Sequence, residues 1–194
     1  MTSRSVNRSI FALALQLTLT THLYCQAPVT AKNIGQVQYA DQYYVESGND
    51  IGAAIASAIN ALPNHCGTVE IASGSYNINT VIVKPRCVLL KGQGAGATKL
   101  VFTSGSGPAV KLGDNLGTSL YIHGGIRDLS IETGSPSSPT SATTGIFMGG
   151  GGYSQDVSIA AEGQDLSGIR ITGFGTALWL GCNVYWESFT IFKS

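Results

Sequence analysis

Seven carboxylates punctuate the chain beyond residue 100: Asp114, Asp128, Glu132, Asp156, Glu162, Asp165 and Glu187. Carboxylates held in pairs run general acid–base chemistry, and oxygen ligands converging on one point hold Ca²⁺. Asp128 follows Arg127, and Arg127 and Arg170 each close the same tripeptide, Gly-Ile-Arg. If those settings stack, Arg127, Asp128 and Arg170 share a face able to grip an anionic group and to take part in its chemistry. A ladder of solvated surface charges fits the same residues and carries the greater weight. Asp156 and Asp165 are candidate calcium ligands, although fixing turns is the commoner use of Asp. Aromatic residues crowd the C-terminal part: Tyr153, Phe174, Trp179, Tyr185, Trp186 and Phe189. Trp179 lies between Leu178 and Leu180, so in a strand it points away from them. With Tyr153 it is the candidate for stacking on the face of a ring-shaped ligand such as a sugar. Packing against a further coil or loop is the plainer use of such residues.

These side chains need a frame to position them. Residues 50–62 carry apolar side chains at Ile51, Ile55, Ala58, Ile59 and Leu62, one face of a helix. Asn49 or Asp50 can cap its start and Pro63 ends it. After Pro63 the period changes. Pairs of apolar residues flanking one other residue recur, among them Val69/Ile71, Val81/Val83, Val88/Leu90, Leu100/Phe102, Val110/Leu112, Leu129/Ile131, Ile146/Met148, Ile169/Ile171 and Leu178/Leu180. Such pairs point to one face of a strand, and their steps of about eleven residues are strand spacing with turns between. An antiparallel sandwich or barrel and a parallel β-helix both use this rhythm. Asn-Gly and Asp-Gly, the strongest short hairpin signals, are absent. The inward residues repeat in kind, and a lone amphipathic helix precedes the first strand, where a solenoid needs its open end covered. The pattern therefore predicts an all-β parallel solenoid with one N-terminal capping helix. Residues 28–48 form an irregular lead, and the β-helix domain occupies 49–194, with its coils over 67–194.

Residues 88–97, VLLKGQGAGA, match the G-x-G-x-x-G/A fingerprint of dinucleotide-binding folds, and Asp114 stands near the spacing of its ribose-binding acid. The intervening stretch, Thr98 to Pro108, holds β-branched residues, two glycines and a proline, so it cannot be the helix such a site requires. The run reads as strand, glycine turn, strand, and no nucleotide is expected.

The same residues carry a resemblance. Asp50 to Ala61, Gly67-Thr-Val-Glu-Ile-Ala-Ser-Gly-Ser-Tyr-Asn-Ile78, Ile82-Val-Lys-Pro85 and Val88 to Leu100 resemble the start of the pectate lyase superfamily. More narrowly, they look like the N-terminal segment shared by pectate-lyase-like, rhamnogalacturonase-like and phage tailspike proteins. The close match covers roughly residues 48–103, and beyond it only strand texture agrees. The resemblance implies a right-handed parallel β-helix, a capping helix at 50–62 and polysaccharide as the partner. Its members include lyases, hydrolases, epimerases and binding modules. Elimination on an acidic polysaccharide needs a base, an acid and a cation such as Ca²⁺ or Arg, whereas hydrolysis needs two carboxyl groups. Rungs about 4.8 Å apart can present either set. The alternative is a non-catalytic carbohydrate-binding or adhesion module. The chain stops after a strand, with no closing cap in view, so C-terminal truncation is expected, with catalytic residues lost past Ser194.

Composition fits this frame. The 194 residues suffice for one domain, with 43% hydrophobic residues, 25 glycines and only 11% charged residues, which disfavours disorder and helical bundles. Residues 1–27 read as a signal peptide: Arg4 and Arg8, an apolar stretch too short to span a bilayer, and small residues before a cleavage after Ala27. The expected location is therefore secreted, extracellular or periplasmic, with no membrane association after cleavage. Nine Lys and Arg then face eleven Asp and Glu. The basic residues are scattered singly, which argues against a nucleic-acid partner. Cys66 and Cys87 each precede an apolar run and can pair if those runs stack, leaving Cys182 odd. His65-Cys66 alone makes a poor zinc site. No G-x-S-x-G, H-E-x-x-H or Walker A run occurs.

Overall fold

The computed structural model describes residues 36–115, 124–135, 141–149, 159–162, 164–181, 184–185 and 188–189. The expected leader, Tyr153, Asp156, Cys182 and the C-terminal end lie outside the described residues.

The strands wind in coils. After β1 (Val37–Tyr39) and helix α1 (Ile51–Ala61), the first coil runs β2 (Gly67–Glu70), β3 (Gly74–Ile78) and β4 (Ile82–Lys84). The second runs β5 (Val88–Lys91), β6 (Thr98–Phe102), β7 (Gly107–Leu112) and the two-residue β8 (Asp114–Asn115). The third runs β9 (Gly124–Arg127), β10 (Ser130–Thr133), β11 (Thr143–Met148) and β12 (Ile159–Glu162). The fourth holds β13 (Gln164–Ser167), β14 (Arg170–Thr172), β15 (Thr176–Leu180) and β16 (Val184–Tyr185), before β17 (Ser188–Phe189).

Each strand pairs with its counterpart one coil on. The first sheet orders β1-β2-β5-β9-β13-β17, the second β3-β6-β10-β14 and the third β4-β7-β11-β15. Every pairing in these three sheets is parallel. The short β8 contact with β12 is antiparallel, while β12 pairs β16 in parallel. This is a right-handed parallel β-helix.

Like residues stack inside. Val69, Leu90, Ile126 and Leu166 form one inward row, and Ile82, Val110, Ile146 and Leu178 another. Val69, Leu90, Ile126, Ile82, Val110 and Ile146 are wholly buried. Full burial of such a side chain contributes about 1.5–3 kcal/mol. One expected pair is displaced by one residue. Val83 is 59% exposed, whereas Ile82 and Lys84 face inward at 0%. A one-residue slip moves a strand's whole set to the other face, and the buried lysine disguised the true pair.

Helix α1 closes the first coil. It buries Ile51, Ala54, Ile55, Ala58 and Ile59 and touches the ends of β1, β2, β3 and β4. Asp50 caps its start, and Leu62 and Pro63 end it. The stretch read as an irregular lead contributes β1, which extends the first sheet by pairing with β2. Among the described residues, no helix is long and apolar enough to cross a membrane.

Residues 92–97 form a corner between β5 and β6, and a strand, not a helix, follows it. Gly92 and Gly94 donate their N–H groups to the Arg127 and Asp128 carbonyls of the next coil, at 2.9 and 2.7 Å. A Cβ on Gly92 would stand 2.3 Å from the Asp128 carbonyl oxygen, so the coils close only over glycine. Cys66 and Cys87 form a disulfide joining the starts of β2 and β5, with Cα atoms 5.0 Å apart.

Candidate functional site

Three of the candidate residues come to lie on three different sheets. Arg127 ends β9 on the first sheet, half-exposed, and forms an ion pair with Asp165 one rung on. Ser167 also donates to Asp165 at 3.4 Å. Beside this pair, Lys91 and Glu70 form a second, at 3.2 Å. The outer face of the first sheet thus carries a ladder of paired charges. Exposed pairs of this kind contribute little stability, about 0–1 kcal/mol.

Arg170 opens β14 on the second sheet, exposed, in register with Ser130 and not with Arg127. The two Gly-Ile-Arg tripeptides do not stack: Arg127 registers with Ser167, and Gly168 falls opposite Asp128. Asp128 occupies the corner between β9 and β10 with φ 56°, a left-handed conformation that Asp tolerates better than most residues. Its N–H donates to the Ser167 carbonyl at 3.1 Å, so it serves the corner.

Trp179 faces outward from β15 on the third sheet, 42% exposed, as alternation requires. Phe147 registers with it one coil earlier, and their rings stack with centroids 6.2 Å apart and planes 23° from parallel. Lys111 and then Val83 continue the row. Lys111 is exposed and has no ion-pair partner among the described residues. The row therefore presents two stacked rings and one cation along a single outward line. Phe147 and Lys111 escaped sequence reading. The register that aligns them with Trp179 depends on coils of unequal length, although their positions one residue after Ile146 and Val110 already marked them as outward.

A groove lies where the second sheet turns into the third. It has a volume of about 380 Å³, and the buried Phe102 lies among its lining residues. The hydroxyl side chains of Thr103, Ser104, Thr133, Ser135 and Thr143 line it. No His, Lys, Arg, Asp or Glu is among its described lining residues.

Among the described residues, no group of three His, Cys, Asp or Glu side chains converges as a metal site would require. Asp165 stands with Arg127 and Ser167.

No family model matches the chain. No curated protein matches it in sequence. Solved structures resemble it, among them these two. The A-module of the Azotobacter vinelandii mannuronan C-5 epimerase AlgE6 matches 77% of this chain and 41% of its own, with 18% identity and a TM-score of 0.53. ORF18 of Geobacillus virus E2 matches 68% of this chain and 24% of its own, with 19% identity and a TM-score of 0.44. The chain therefore spans about two-fifths of the one and a quarter of the other. At such identity the likeness to the epimerase module is one of fold, and the chain shares its parallel β-helix architecture.

Proposed function

We propose that this is an exported β-helix protein of pectate-lyase-like type. It engages a uronate-containing polysaccharide on the outer face of the third sheet and cleaves or modifies it by lyase or hydrolase chemistry. The observation that carries the reading is the in-register stack of Phe147 and Trp179. Aromatic side chains left partly in water lose part of the benefit of burial, and two such rings on consecutive rungs make a flat apolar strip. A pyranose ring offers an apolar face to such a strip and keeps its hydroxyls wet. Lys111, one rung earlier, supplies a cation for a uronate carboxylate. The fold likeness to a module named for mannuronan, itself a uronate polymer, agrees with that substrate class.

A second reading, a carbohydrate-binding or adhesion module, has its own support. The outward row of the third sheet holds no carboxylate among its described residues, and Glu70 and Asp165 on the first sheet are each bound to a cation. Pectin, polygalacturonate and alginate, each with Ca²⁺ and with chelator, separate the two. Unsaturated ends mark a lyase, new reducing ends without unsaturation mark a hydrolase, and retention on intact polymer marks a module. In all three cases Trp179→Ala and Phe147→Ala should each weaken polymer binding about three- to tenfold, as loss of an aromatic contact predicts. Unchanged binding in both variants, or no binding to any uronate polymer, would overturn the proposal.

A further inference from the structure

The groove at the turn from the second to the third sheet has a chemistry of its own. Three of its five hydroxyls, those of Thr103, Ser104 and Thr133, turn their protons toward the protein. Thr103 donates to the Ile78 carbonyl at 3.0 Å or to Asn79 Oδ1 at 2.6 Å. Ser104 donates to the Ser106 carbonyl and Thr133 to the Gly173 carbonyl, each at 3.2 Å. A hydroxyl that has given its proton keeps lone pairs, so these oxygens face a ligand as acceptors. Among its described lining residues there is neither a cation to meet an anion nor a carboxylate to meet a cation. What it suits is a neutral ligand that donates from O–H groups. Its volume falls within the range of small-ligand clefts, about 300–1,000 Å³.

We propose that this groove is a site for a neutral sugar residue. Its position supports a further step, which rests on the reading of the third sheet given above. Thr143, in the groove wall, opens β11, and Phe147 lies four residues along the same strand, about 13 Å at the rise of a β-strand. One chain can occupy both places. The polysaccharide then carries neutral sugars beside its uronates and is not a homopolymer of uronate.

Two glycines make the test clean. Gly105 and Gly134 line the groove, and neither has a left-handed φ. A Cβ on Gly105 would meet nothing within 4 Å, and one on Gly134 only the Phe102 carbonyl oxygen, at 3.8 Å. Gly105→Tyr should therefore fold and fill the groove, with Gly134→Tyr filling it from the other wall should the first variant lose its circular-dichroism signature. Neutral gluco-, galacto-, manno- and rhamno-oligosaccharides and a short oligouronate are titrated by calorimetry into the wild type, Gly105→Tyr and Trp179→Ala. At least one neutral oligosaccharide should bind the wild type, bind Gly105→Tyr at least tenfold more weakly, and bind Trp179→Ala unchanged. The oligouronate should show the reverse dependence. No neutral binding, or neutral binding untouched by a folded groove-filling variant, overturns the site. Equal retention of a polyuronate and of a polymer alternating uronate with neutral sugar overturns the mixed-substrate step. Failure of the third-sheet reading appears separately, as oligouronate affinity that Trp179→Ala leaves intact.

Discussion

Asp50 shows how much one side chain can tie together. One carboxylate oxygen, Oδ1, accepts from the N–H of Gly52 at 3.0 Å, Asn79 at 3.0 Å and Thr80 at 3.2 Å. It caps α1 and fastens the helix to the turn before β4. Burial alone would raise its pKa, but hydrogen bonds from Thr80, Asn79 and Gly52 outweigh burial and hold it below the ordinary carboxylate value. A lowered folded-state value means the charged form is the one folding favours. Its contribution is complete above the unfolded value, about 3.9, and fades as pH falls through the folded value. Asp50→Ala should lower unfolding free energy by roughly 1–3 kcal/mol in urea at neutral pH. Asp50→Asn, which keeps an acceptor, should lose less and show a shallower fall in stability on the acid side. Equal acid sensitivity in wild type and Asp50→Asn would count against this account. The candidate residues show where spacing stops informing. Lys91 and Thr98 bracket a six-residue corner, while Arg127 and Ser130 bracket a two-residue one. The same interval in sequence therefore lands on different sheets, and Arg127, Arg170 and Trp179 part company.

At the scale of elements, the joint between the third sheet and the first is polar and buried. Lys84 ends β4 wholly buried and donates to Gln164 Oε1, at the start of β13, and to the Pro85 carbonyl, each at 2.9 Å. Gln164 Nε2 returns a bond to the Arg86 carbonyl at 3.0 Å. The clamp spans two coils because Gly124 lies between them. A Cβ there would stand 2.0 Å from the Arg86 carbonyl oxygen. A buried polar group is costly only when left unmatched. Lys84→Met and Gln164→Leu should each cost roughly 1–3 kcal/mol. Together they should cost less than the sum by at least about 0.5 kcal/mol, as for any pair in one network. A chemical-denaturation double-mutant cycle checks this, and strict additivity would remove the clamp. The helix, its cap and its stop were legible because they are local. The Ile82/Lys84 pair was not, since a lysine enters a core only when distant residues supply its partners.

At the scale of the molecule, the coils form a stack in which each rung rests on its neighbours, so stability accumulates from nearest-neighbour contacts. The Cys66–Cys87 disulfide fastens the first rung pair across 21 residues of sequence. A closed loop of that size is worth about 3 kcal/mol in the chain-entropy account. The Cys66→Ala/Cys87→Ala variant should therefore unfold at lower urea, by about 2–4 kcal/mol, with its folded far-ultraviolet circular dichroism unchanged. A variant as stable as the wild type would show that the α1 cap and the inward rows alone hold this end.

The sequence by itself determined the period, the class and the pieces: a capping helix, strands that put like side chains inward, glycine at the corner of residues 92–97, and two cysteines before strands that pair. All of these follow from steric and hydrophobic rules that act within a few residues. Only the tertiary structure decided which residues share a face. Register depends on corner lengths, and corner lengths vary freely because loops tolerate insertion at small entropic cost. That is why Phe147 and Lys111 joined Trp179, why Arg127 and Arg170 separated, and why a groove formed between residues far apart in the chain.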